Sequence, residues 1–138
     1  MELRLMTEED KTFVLGFDSH MDEACFRNRV LTKTGFVLWE EENPVGLMHH
    51  CLLWDRMPFL NLLYIVEEKR GQGFGKKAME SWEAELKRRG CQIALLSTQA
   101  DETAQHFYRK LGYRDCGGLI FQDTPFDQPA ELFFRKVL

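Results

Sequence analysis

Ile65-Val66-Glu67-Glu68-Lys69-Arg70-Gly71-Gln72-Gly73-Phe74-Gly75-Lys76-Lys77-Ala78-Met79 carries an apolar strand into a basic, glycine-rich turn that opens a helix. Upstream, Phe59 to Val66 is an apolar run containing the strand formers Phe, Tyr, Ile and Val. Downstream, Ala78, Met79, Trp82 and Leu86 fall at helical spacing, which predicts a helix over Lys76–Arg89 stopped by Gly90. Glycines at the junction let the backbone turn tightly and come close to a ligand. The unpaired N–H groups of the helix's first turn point outward at the positive end of its dipole. Such an end binds anions, although a plain strand-to-helix turn would carry similar glycines. Two familiar phosphate motifs fail on their letters. A nucleoside triphosphate loop needs Gly-x-x-x-x-Gly-Lys-Ser/Thr, and Lys76 is followed by Lys77, with no hydroxyl for magnesium. A dinucleotide fingerprint needs Gly-x-Gly-x-x-Gly, whereas Gly71, Gly73 and Gly75 recur at every second residue.

Outward from this junction, strands and helices alternate. A strand is expected near Glu2–Met6, a helix over about Glu8–Asp18, and a second near Asp22–Thr32 with Ser19 or Asp22 as its cap. Thr34–Glu40 and Pro44–Trp54 read as a hairpin around a Glu41–Gly46 turn. A strand over Gln92–Thr98 and a helix over Asp101–Leu111, ending at Gly112, follow. Tyr113–Phe121 and Glu131–Val137 read as the last strands, joined by a loop with two prolines and two aspartates. A hairpin meander followed by a strand–helix–strand unit predicts a mixed sheet covered by helices.

With 138 residues, 44% of them hydrophobic, the chain has enough for one core and little room for a second, so a single domain over 1–138 is expected. A net charge of −4 speaks against a nucleic-acid partner, which needs Lys and Arg clustered on one face. The first five residues lack the apolar stretch of a secretion signal. No segment approaches the roughly 18 uninterrupted apolar residues that cross a bilayer. A soluble, cytoplasmic protein with no membrane partner is the expectation. Cys25, Cys51, Cys91 and Cys116 stand singly, without metal or redox spacing, and read as buried thiols. His49 and His50 are adjacent on a strand, so they point to opposite faces and cannot together grip one metal. No metal site is expected.

Arg70-x-x-Gly73-x-Gly75 is the pattern that remains, and it resembles the acetyl-coenzyme A (acetyl-CoA) loop, Arg/Gln-x-x-Gly-x-Gly/Ala, of the GCN5-related N-acetyltransferase (GNAT) superfamily. Asp101-Glu102-Thr103-Ala104-Gln105-His106-Phe107-Tyr108-Arg109-Lys110-Leu111-Gly112-Tyr113 is similar to that family's Asn-x-x-Ala-x-x-Phe-Tyr-x-x-x-Gly-Phe/Tyr. The resemblance implies an α/β (α+β) fold, with a mixed, mostly antiparallel central sheet of about six to seven strands flanked by about four helices. It implies acetyl-CoA as acyl donor, with direct transfer to a primary amine of a small molecule or peptide. It also admits a homodimer, for which no interface is legible.

By the same resemblance, the backbone amides of Leu63, Tyr64 and Ile65 bind the pantetheine and polarise the thioester carbonyl. The loop amides of Gly71, Gln72, Gly73, Phe74, Gly75 and Lys76 take the pyrophosphate, with Arg70 and Lys76 supplying positive charge. Asp101 stands where the family often has Asn beside the pantetheine arm, and it also reads as a helix N-cap. Tyr108 aligns with the tyrosine that protonates the coenzyme A sulfur in many members. A phenol with a reference pKa of about 10 stays protonated at neutral pH, though Tyr108 shares core-compatible spacing with Phe107 and Leu111. Where some members carry a glutamate that activates the amine, this chain has Leu96. Ser97, Thr98, His49, His50, Asp55 and Asn61 are the polar residues left for that role. Trp39, Trp54, Phe59 and Phe126 are candidates for the acceptor's wall. The missing glutamate keeps a second reading open, a GNAT-like module that binds acetyl-CoA as a sensor or interaction unit with little turnover.

Overall fold

Seven strands form one sheet in the order β1-β2-β3-β4-β5-β7-β6 in the computed structural model, which describes residues 1–138. They are β1 (Glu2–Leu5), β2 (Gly35–Glu40), β3 (Asn43–Leu53), β4 (Met57–Ile65), β5 (Ile93–Gln99), β6 (Arg114–Leu119) and β7 (Glu131–Val137). The helices are α1 (Lys11–Phe17), α2 (Glu23–Leu31), α3 (Phe74–Arg88) and α4 (Ala104–Lys110). Every neighbouring pair is antiparallel except β4 and β5, which run parallel because α3 crosses over between them. This is the mixed, mostly antiparallel sheet with four helices that the sequence predicts.

Two apolar layers hold the sheet. On one face Ala78, Met79, Trp82 and Leu86 of α3 pack against Leu38, Met48, Leu60, Leu96 and Phe134. Fully burying a side chain the size of Leu86 stabilises the fold by roughly 1.5–3 kcal/mol. On the other face Val14 of α1 and Phe26 of α2 pack against Val37 and Leu47, with Leu62 and Tyr64 at the edge. That second layer draws on no residue of β5, β6 or β7, so half of its face has no helix over it. No helix is long and apolar enough to cross a membrane.

Local details depart from the sequence reading. The first helix is split, a 3-10 turn over Glu8–Asp10 preceding α1, because Asp10 is tied back to the Thr7 backbone N–H in a capping box. The β2–β3 turn contracts to Glu41 and Glu42, and Pro44 and Gly46 lie within β3, where Val45 is the extra residue of a bulge opposite the Leu38–Trp39 step of β2. The last helix begins at Ala104, with Thr103 as its N-cap, so Asp101 does not cap it. Asp22 does cap α2, accepting from the Cys25 amide at 2.7 Å. The thiols are not uniformly buried: Cys25 on α2 and Cys116 on the edge strand β6 are exposed.

Candidate active site

The register of β4 decides where a ligand can enter. β4 and β5 pair only at Phe59↔Leu95 and Leu60↔Leu96, then diverge. The edge of Asn61–Ile65 that faces β5 is therefore left without a ladder partner, and exposed backbone groups of that kind need one. On its other edge β4 pairs with β3, His49 opposite Leu62 and His50 opposite Leu60, which leaves Asn61 as the extra residue of a bulge. The divergence opens two adjoining cavities. One of about 180 Å³ reaches from Asn61 and Leu62 to Ser97, Thr98 and Tyr108. The other, about 310 Å³, is lined by Leu63, Tyr64, Ile65, Arg70, Gly75 and Tyr108. Leu63, Tyr64 and Ile65 thus stand together along one open edge.

At the outer end of this cleft lies the start of α3. Gly73 is its N-cap at φ +85°, and Gly71 sits at φ +72°, the left-handed region that glycine adopts without strain. Nothing lies within 4 Å of where a Cβ would stand on either, so the turn faces open space with the positive end of a 15-residue helix behind it. The other loop residues divide their tasks. Arg70 donates from Nε to the Ile65 carbonyl at 2.9 Å and lies over the Tyr64 ring, fixing the end of β4 to the loop. Gln72 closes the turn on the Glu68 carbonyl. The Phe74 side chain is buried in the core, which leaves its backbone for a ligand. Gly75 makes room for Phe107, since a Cβ there would come within 3.3 Å of its ring. Lys76 is exposed, 3.9 Å from Glu80.

Tyr108 borders both cavities from α4. Burial, with the nearby Glu102 carboxylate, pushes its phenol up to about 12. Asp101 is exposed and outside the cleft; its neighbour Glu102 lines the wall instead. Thr98 is buried with its hydroxyl unpartnered, in the same wall.

Across β4 a separate cavity of about 260 Å³ opens beneath α1 and α2. Asp18, at the C-terminus of α1, accepts from His49 Nε2 at 2.8 Å and from the His20 amide at 3.0 Å. The carboxylate selects the tautomer with its proton on Nε2, so His49 Nδ1 presents a lone pair, buried and without a partner. Burial and the Arg29 cation hold the imidazole below its usual pKa, against the pull of Asp18. Arg29 lines the same cavity, with its Nε also buried and unpartnered. His50 points the other way and accepts from Trp82 Nε1 at 3.1 Å in the core. Asp55 is exposed in the β3–β4 turn, and Trp39 lies under the Arg4 guanidinium. Of the other aromatic candidates, Trp54 and Phe59 line an apolar trough of about 620 Å³ over β4, β5 and β7, and Phe126 projects from the 120–130 loop. Asn61 borders the cleft, the polar cavity and the trough alike. Asp18, Arg29 and Glu102 also line these cavities and are not among the candidates that the sequence offers. No local pattern marks them, because their meaning depends on what the fold brings opposite. No group of three or more His, Cys, Asp or Glu is arranged to hold a metal.

A splayed parallel pair, a bulged β4 and a glycine-built helix start define an acetyltransferase fold of one kind. Residues 3–113 match the Acetyltransferase (GNAT) family, and the chain belongs to that family. A stretch of 56 residues is 39% identical to N-alpha-acetyltransferase 30 of Schizosaccharomyces pombe, covering 40% of this chain and 37% of that protein, so the match spans little more than a third of the relative's length. The fold is that of the ribosomal-protein-S18-alanine N-acetyltransferase of Escherichia coli, with a TM-score of 0.82 at 16% identity over 99% of this chain and 92% of that one. It is likewise that of a GNAT family acetyltransferase of Elizabethkingia anophelis with acetyl-CoA bound, with a TM-score of 0.77 at 14% identity over 99% and 97%.

Proposed function

We propose that this protein is an acetyl-CoA-dependent N-acetyltransferase that acts on a primary amine of a small molecule or peptide by direct transfer, in the cytoplasm. The observation that carries the reading is the position of Asn61, where a cleft built for an extended, phosphate-ended thioester meets a cavity containing a buried Asp18–His49 pair. The cleft suits the donor on its own features. An unpaired strand edge can hold the amides of a pantetheine arm, and two left-handed glycines at a helix start can face a pyrophosphate. Family membership, and the neighbour with acetyl-CoA bound, support the same donor.

Acetyl-CoA brings the acetyl group as a thioester; the amine forms the C–N bond and the C–S bond breaks. The chain's own residues supply the rest. Leu63, Tyr64 and Ile65 orient the arm along β4 and exclude water, and the Gly71–Gly73 turn anchors its charged end. His49 takes one proton from the acceptor ammonium at Nδ1 and passes it to solvent. Asp18 holds the ring in the tautomer that can do so. Its lowered pKa keeps His49 neutral, and so competent, at pH 7. Tyr108 gives its hydroxyl proton to the departing sulfur and recovers one from the nitrogen, so each turnover releases one proton. The base that Leu96 cannot provide is thus supplied from β3, which favours an enzyme over a sensor. The test is release of free thiol from acetyl-CoA with a panel of primary amines. Release that depends on acceptor, with an acetylated product, is expected. Tight acetyl-CoA binding with no acceptor-dependent release would establish the sensor reading instead.

A further inference from the structure

Three features on the acceptor side of β4 are not used by the chemistry above. Arg29 takes part in none of the protein's ion pairs, and its Nε is buried without a partner in the cavity it shares with His49. The trough of about 620 Å³ beside it is apolar on nearly every side, with Met57, Phe59, Leu95 and Phe133 in its wall. Trp54 overhangs that wall, 78% exposed and held at φ +55°. With Asp55 at φ +59°, Trp54 forms the centre of the hairpin turn between β3 and β4, closed by the Arg56 amide on the Leu53 carbonyl, and this turn carries the indole to the trough's rim.

We propose that the acceptor is a free α-amino acid with an apolar side chain, its carboxylate on Arg29, its side chain in the trough and its nitrogen beside Asn61 at the mouth of the cleft. This rests on the acetyltransferase reading above. An α-carbon carries its amine, carboxylate and side chain in three directions from one point. Around Asn61 three environments meet in the same way: the cleft where the acyl group arrives, a cation lacking a counter-charge, and an apolar wall. A guanidinium with a buried, unpartnered nitrogen in a cavity wall suits a carboxylate, since its fork of N–H donors pairs with both oxygens. Other acceptors match less well. A polyamine would set a second ammonium against Arg29, because the cavity's one carboxylate, Asp18, is already committed to His49 and the His20 amide. A peptide N-terminus would offer Arg29 only a neutral carbonyl. The ionisable side chains lining the polar cavity are Asp18, His20, Cys25, Arg29 and His49, and Asp18 is the one bonded within it.

The experiment compares leucine and phenylalanine with their amides, with alanine and with spermidine. Binding to the protein saturated with coenzyme A is measured by calorimetry, and kcat/KM by thiol release with acetyl-CoA. Leucine and phenylalanine should bind and react, with kcat/KM exceeding that of their amides about tenfold or more, the loss expected when a charged hydrogen-bonded pair is broken. Alanine should fall below both. Arg29→Met should erase the acid-over-amide preference in binding as well as in rate, and Arg29→Lys should keep part of it, with acetyl-CoA affinity reporting that each variant is folded. Preference for the amides, for spermidine or for a peptide with an apolar first residue would overturn the proposal. So would an unchanged acid-to-amide ratio in Arg29→Met, or no amino acid bound by a protein that does bind acetyl-CoA. A folded protein that fails to bind acetyl-CoA would remove the acetyltransferase reading itself.

Discussion

His49 Nε2 and Asp18 Oδ2 stand 2.8 Å apart, 31 residues distant in the chain and each more than nine-tenths buried. A buried imidazole bonded to a carboxylate at one nitrogen and to nothing at the other is oriented to take a proton there. His49→Gln should therefore lower kcat/KM by roughly 10²-fold at pH 8 with acetyl-CoA affinity unchanged. Wild-type activity should fall as acidification protonates His49, below its usual value of 6.5, while the variant has no such limb. The two rates then converge at low pH. A ratio constant across pH would show that His49 serves only the fold.

Tyr108→Phe removes the proton donor and nothing of the ring's packing against Phe107 and Tyr113. Turnover should drop by roughly 10²-fold with the dissociation constant for acetyl-CoA unchanged. With the phenol pushed up to about 12, the wild-type profile should show no loss from Tyr108 ionisation below pH 10. Wild-type turnover in the variant would remove the acid assignment.

Gly73 has free space around it but a left-handed backbone. Gly73→Ala should cost about 1–2 kcal/mol in denaturant stability through backbone strain alone. Gly73→Glu should in addition abolish acetyl-CoA binding by setting a negative charge where the pyrophosphate lies. Retained binding in a folded Gly73→Glu protein would mean that the helix start holds no phosphate.

His50 is buried in the core as the acceptor of the Trp82 indole, and burial lowers its pKa to about 4. The unfolded chain binds this proton at about 6.5, so between those values the unfolded state holds more protons and stability falls as pH falls. Urea titration should give a loss of about 2 kcal/mol between pH 7 and pH 5 from this group, a slope that His50→Leu reduces. Equal slopes in both proteins would place the pH dependence elsewhere.

How far the chain could be read depended on how local each feature is. The β2–β3 hairpin around its polar turn, the α3 spacing of Ala78, Met79, Trp82 and Leu86, and the Gly71–Gly75 turn are all consequences of neighbours in sequence, and their elements lie within a few residues of where they are expected. The same holds for His49 and His50, whose opposite facings follow from strand geometry. The bulge at Asn61 and the early parting of β4 from β5 are set by pairing across the sheet, which one strand's letters do not carry. Asp18 was invisible because nothing about an aspartate at a helix end announces a histidine 31 residues later. Arg29 carries no mark of its own in the sequence either, since what singles it out is the cavity it shares with His49 of β3. Asp101 misled through its own chemistry: it is a good cap residue, but the turn after it is closed by Gln105, which donates to the Ala100 and Glu102 carbonyls, and α4 starts three residues later.

Calorimetric titration of the protein with acetyl-CoA, alongside coenzyme A, ATP and NAD, tests the central claim most directly. Saturable binding restricted to the two coenzyme A ligands, and lost in Gly73→Glu, is the predicted result. A folded protein that binds neither, or that binds ATP or NAD equally well, would contradict it.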